Sequence, residues 1–158
     1  MNGNLTESRA ELDKRYRTTA IIYFGQLFTA IVLITAGWFL VEPSNDSADP
    51  NSLMPLWIAV IFIAAGTFVL RRALTNRERL KETKLLKGNS GLLAKLQTNA
   101  IILGSLAEII ALIGFVIAHS TGAKADMLRA GLVSLIVFFI NFPRKSVWQK
   151  IIANLEKV

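Results

Sequence analysis

Glu108 is the residue whose type and position could do chemistry. It stands near the middle of Thr98–Ala118, TNAIILGSLAEIIALIGFVIA, a run long and apolar enough to cross a bilayer. A charge at bilayer depth costs about 2.5–3.5 kcal/mol on insertion scales, so an ionisable side chain there marks either an ion or proton path or a buried hydrogen bond. Gly104 and Ser105 precede it by four and three residues and Ala111 follows by three. Together with Gly114 they give this helix a face of small residues that lets a neighbouring helix approach closely. Burial on such a face disfavours the ionised carboxyl. Two readings follow. In one, a neutral Glu108 donates to a backbone carbonyl or to Gln26, Tyr23 or Ser134 and locks the bundle. In the other, it gains and loses a proton, or binds a cation, with Gln26, Tyr23 and Ser105 as the candidate surroundings.

Other chemistry has little to build on. The 158 residues include no cysteine and one histidine, which excludes disulfides, thiolate metal sites, cysteine nucleophiles and any histidine cluster. His119, at the end of the apolar run, reads as a solvated residue rather than a ligand. No phosphate-cradling glycine loop, nucleophile elbow or HExxH pattern occurs. The expectation is a non-enzymatic protein with no cofactor and no metal.

The elements that must position Glu108 are membrane spans. With 53% hydrophobic and 18% charged residues the chain is too apolar for an ordinary soluble domain. Hydropathy predicts one membrane domain over 1–158, with spans at about 18–41, 53–70, 98–118 and 127–142. In the first span Thr19, Tyr23, Gln26 and Thr29 recur at helical spacing and are expected on one face, either packing helices together or reaching Glu108. Ser8 and Glu11 fit a capping box that would start the first helix. Asn51 or Ser52 can cap the second, with Pro55 in its first turn. Trp38 and Trp57 mark a common interface. Pro143 ends the fourth span, and a C-terminal helix at about 146–156, with Val147, Trp148, Ile151, Ile152 and Leu155 on one side, has the pattern of a helix lying in the interface plane.

The 71–97 stretch is strongly basic. Its leucines, Leu74, Leu80, Leu85 and Leu86, are too sparse for a buried core helix, so it reads as a solvated or headgroup-level extension of the second span, stopping at the turn-forming Lys87–Gly91. Leu92, Leu93 and Leu96 then read as interfacial. Arg71, Arg72, Lys95, Arg144 and Lys145 are the candidate contacts to anionic lipid headgroups. Nucleic-acid binding is not expected, because no aromatic residues interleave with these bases. Of the 18 Lys and Arg residues, all but Lys124 and Arg129 fall on the side that holds both termini and the 71–97 stretch. By the positive-inside rule that side is cytoplasmic. The expected fold is therefore an all-α integral membrane bundle of four transmembrane helices, N-in and C-in, with an interfacial C-terminal helix.

The segment Ala107–Ile117, AEIIALIGFVI, resembles the carboxylate helix of the c-type ring subunits, the proteolipids of rotary ATPases. There a mid-membrane acid precedes an apolar run of small residues and glycine, on a helix that leaves a polar cytoplasmic loop. The resemblance implies an ion-carrying position at Glu108 and a homo-oligomer or a subunit of a membrane complex. It covers about 20 residues. The second span has Gly66 but no repeated-glycine pattern, the 71–97 stretch lacks the short Arg-Gln-Pro type turn, and the fourth span carries no second carboxylate. The ending Phe138–Arg144 with Trp148 resembles that of small bacterial four-span proteins, which points to a bacterial inner membrane.

Overall fold

A computed structural model describes the backbone of residues 3–42 and 50–156, and the side chains of 10–42 and 53–155. The described residues form five helices and no strand: α1 (Gly3–Leu40), α2 (Pro50–Leu74), α3 (Arg77–Thr121), α4 (Lys124–Asn141) and α5 (Lys145–Glu156). Four of them, α1 to α4, include stretches long and apolar enough to cross a membrane. The turn-rich segment 43–49 lies outside the described residues.

Several element ends differ from the sequence reading. Helix α1 already begins at Gly3, so Ser8 is inside it rather than at its N-cap. At 38 residues it is about 57 Å long, far more than a hydrocarbon core of about 30 Å needs. Helix α2 starts at Pro50, placing Asn51 and Ser52 within it and Pro55 beyond the first turn, where the bond to the Asn51 carbonyl is lost. It extends only one turn into the basic stretch, with Arg71 and Arg72 in its last turn. The chain breaks at Thr75–Asn76, and the Asn76 side chain accepts from the Glu78 N–H to start α3.

Helix α3 is in turn broken at Gly88, whose φ of 67° and ψ of −167° suit glycine almost alone. The chain folds back there. The Lys95 ammonium reaches the Thr83 hydroxyl at 2.8 Å and the Arg79 carbonyl at 3.4 Å. Twelve residues of straight helix would hold Thr83 and Lys95 about 18 Å apart, which a lysine side chain cannot bridge. Residues 77–87 thus pack antiparallel to the first turns of 89–121.

This fold-back builds a core that was not expected. Leu80, Leu92, Leu93 and Leu96 are buried together with Leu12 of α1 and with Trp148 and Ile152 of α5. The sequence reading placed Leu92, Leu93 and Leu96 at an interface and Leu80 on a solvated helix. It placed the apolar side of α5 in the interface plane, whereas Trp148 and Ile152 are used inside the protein. Of the leucines in the basic stretch only Leu85 and Leu86 are exposed, at 77% and 75%.

The main core lies in the four-helix part. Tyr23, Ala30, Val60, Ala107, Ile110, Ala111, Ile117, Val137 and Phe138 form it. Helix α3 is the central element, packed on α1, α2 and α4 and touching α5, while α1 also packs on α4 and α2 only lightly so. Helices α1 and α2, neighbours in sequence, flank α3 and make no extensive contact with each other among the described residues. The small residues of α3 make its central place possible: Ala100, Gly104, Ala107, Ala111, Gly114 and Ala118 are all buried, at alternating spacings of four and three. A Cβ on Gly114 would overlap the Ala130 methyl group of α4.

Candidate functional site

Helices α1 and α3 run parallel, in a register fixed by contacts at three levels. At one end the Ser90 hydroxyl donates to Glu11 Oε1 at 2.6 Å and accepts from Arg15 Nη2 at 3.1 Å. In the middle Gln26 Nε2 donates to Ser105 Oγ at 2.8 Å and to the Ile101 carbonyl at 3.3 Å. At the other end Gly37 lies against Phe115 and the Met127 side chain. Three residues beyond Ser105, this register brings Glu108 level with Thr29.

Glu108 is half-buried, not enclosed. Ala107 and Ala111 beside it face the core, whereas Ile109 and Leu112 face outward. The carboxylate therefore stands on the rim of the α1–α3 seam. It forms no hydrogen bond or ion pair among the described residues, and its expected partners are committed elsewhere. The Tyr23 hydroxyl donates to the Phe138 carbonyl at 2.8 Å, and Ser134 donates to the Ala107 carbonyl at 2.7 Å. Tyr23 is fully buried, edge-on to Phe138 and Phe142 at 5.4 and 5.7 Å.

Of the predicted group, then, the structure brings Gln26 and Ser105 together beside Glu108 and turns the Tyr23 hydroxyl toward α4. The polar stripe of α1 does not stay on one face. Thr19 and Tyr23 are buried, Gln26 is half-buried, and Thr29 is exposed and donates to the Gly25 carbonyl at 3.1 Å. The drift follows from spacings of three residues, each of which falls short of a full turn by about 60°.

Gln26 carries the one anomaly of this seam. Its Oε1 is buried and has no hydrogen-bond partner among the described residues. It sits directly over Gly104, where a Cβ would collide with it, and beside the Tyr23 ring. Turning the amide over would aim oxygen at the Ile101 carbonyl, so the contacts fix the orientation seen. Helical side chains lean toward the helix N-terminus, which carries the Glu108 carboxyl back over the turn that holds Gly104 and Ser105. The unpaired buried acceptor of α1 thus lies over the turn of α3 toward which the Glu108 carboxyl leans.

No protein-family model, curated protein or solved structure matches this chain. What the site can do rests on its own residues.

The basic candidates divide clearly. Lys95 is bound within the fold-back, and Lys145 pairs with Asp13 at 2.9 Å. Arg72 is exposed. Arg71 donates to the Ile140 carbonyl and, with Arg144, lines a crevice of about 490 Å³ between α2, α3, α4 and α5. His119 is exposed and stacks on Phe115 with centroids 6.3 Å apart. Two buried amides were not singled out in the sequence. Asn99 donates to the Leu74 carbonyl at 3.2 Å and ties α3 to the end of α2. Asn141 donates to the Val137 carbonyl at 2.8 Å. An amide near the end of an otherwise apolar run was the available signal for both.

Proposed function

We propose that this chain is a small, non-enzymatic membrane protein of the proteolipid-like kind, with four spans and both termini in the cytoplasm of a bacterial cell. In it Glu108 takes up and releases a proton, or a cation, at the rim of the α1–α3 seam. The observation that carries the reading is a half-buried carboxyl midway along a span-length apolar helix, with no partner from its own chain among the described residues. A carboxylate in that position is costly in lipid unless it is protonated or meets a partner from another subunit. Protonated, Glu108 can donate to the orphaned Gln26 Oε1 and lie on the seam. Ionised, it would set two acceptors against each other and turn away toward the outer surface. Protonation thereby selects between two positions of one side chain.

The test is direct. A carbodiimide should label Glu108 in a pH-dependent way, and Glu108→Gln should retain the fold while abolishing proton or cation flux in proteoliposomes. Unchanged flux would overturn the proposal.

The second reading, a structural or assembly subunit of a larger membrane complex, is favoured by the unpaired Gln26 Oε1. A permanently neutral Glu108 donating there would lock α1 to α3. Under it Glu108→Gln, whose amide can still donate, is mild, and Glu108→Leu lowers thermal stability in detergent. Equal stability of all three forms would sink this reading.

A further inference from the structure

We propose that the crevice between Arg71 and Arg144 is a discrete binding site for one anionic phospholipid, with the lipid phosphate held between the two guanidinium groups. Its volume, about 490 Å³, falls within the roughly 300–1,000 Å³ of small-ligand sites. Its lining changes character along its length. Arg71, Asn99 and Arg144 occupy the end where the apolar runs of α2, α3 and α4 meet the basic part of the chain. Leu103, one turn along α3 from Asn99, and Phe139, in the last turn of α4, form walls toward the middle of the bundle, while Leu96, Val147, Trp148 and Ile151 wall the opposite side. Two guanidinium groups at the ends of the spans, with apolar walls that include Leu103 and Phe139 on the span side, match a phospholipid with its headgroup at the interface and a chain lying against those walls. A free inorganic anion would use the guanidinium groups and leave the apolar walls without purpose.

The cations are available for this role. Arg71 spends one donor on the Ile140 carbonyl, which fixes its stem, and its fork keeps further N–H groups. Arg144 is exposed and forms no hydrogen bond or ion pair through its side chain among the described residues. Its carbonyl accepts from Val147 and Trp148, so the positive end of α5 lies beside it. Guanidinium groups bind phosphate oxygens in a bidentate manner, and basic pockets between spans on the cytoplasmic side suit phosphate headgroups. Lys95 and Lys145, equally basic in the sequence, are tied up within the protein, which separates a built site from general attraction to the bilayer surface. The inference rests on the four helices spanning a membrane but not on any role of Glu108.

The experiment is native mass spectrometry of the full chain in detergent, titrated separately with phosphatidylglycerol, phosphatidylcholine and inorganic phosphate. The expected result is one retained phosphatidylglycerol per chain. Binding should weaken by about tenfold in Arg144→Gln, as for loss of one charge-assisted contact, and further in Arg71→Gln/Arg144→Gln. It should be unchanged in Arg72→Gln/Arg77→Gln, which removes the same charge outside the crevice, and in Glu108→Gln. Because Arg71 also holds Ile140, Arg144→Gln alone is the variant in which misfolding does not compete. Equal weakening by the Arg72→Gln/Arg77→Gln control would overturn the proposal. So would phosphatidylcholine held as tightly as phosphatidylglycerol, or inorganic phosphate that binds and displaces the lipid.

Discussion

Gly114 and Ala130 show how little room the bundle leaves. A side chain at residue 114 must displace α4, so Gly114→Leu should cost about 1–3 kcal/mol, or more if the helices separate, measured as a loss of thermal stability in detergent. Outside the spans, Glu11 is held below the ordinary carboxylate value of 4.5, first by the hydrogen bond from Ser90 and also by Arg15, against some desolvation. A depressed folded-state value means that this contact stabilises the fold fully above the unfolded value and is lost as pH falls through the lower folded one. The melting temperature should therefore drop on acidification below about pH 5, and Ser90→Ala should lower it at neutral pH while flattening that dependence. At this scale the sequence was informative about residue type. The small face of Gly104, Ala111 and Gly114 was legible from spacing, as was Ser105 one turn before Glu108, whereas the bond from Gln26 to Ser105 depends on the α1–α3 register. That Glu108 would sit on the rim was not, because it lies at the margin of the face that α1 covers and only the α1–α3 register decides which side chains reach it.

Among the elements, the fold-back at Gly88 was half legible. Lys87–Gly91 reads as a turn, but nothing local says that the chain returns along itself and buries Leu80, Leu92, Leu93 and Leu96. Those leucines look sparse because their partners, Leu12, Trp148 and Ile152, lie on two other helices far away in sequence. The same applies to α5, whose apolar side matches an interfacial helix as well as a docked one. Gly88→Ala should cost of order 1–3 kcal/mol, since its backbone region is nearly closed to residues with a Cβ. The chain has no cysteine of its own, so spin labels placed by Glu82→Cys and Ala94→Cys can report on the fold-back cleanly. The expected result is a short, narrow distance distribution that lengthens and broadens when Gly88→Ala is added. An unchanged distribution would show that packing of the leucines, not the glycine, fixes the bend.

For the whole molecule, the segregation of Lys and Arg predicts a sidedness that can be measured. In intact cells His119→Cys should react with a membrane-impermeant maleimide added outside, and Glu82→Cys should react only after the membrane is opened; the reverse pattern would invert the topology. The number and order of the span-length helices were legible because hydropathy is a local property summed over many residues. Their arrangement around α3 was not, since it depends on which small-residue faces find each other. That arrangement bears on how the protein is made. The ribosome delivers α1 and α2 first, yet these two scarcely touch, and each finds its main packing partner only in α3. Until α3 is synthesised, the first two helices lack their main packing partner, with Tyr23, Gln26 and Thr67 still without their final packing. A chain truncated after residue 76 should leave α1 and α2 tethered but unpacked and open to proteases, whereas one truncated after residue 121 should already protect them.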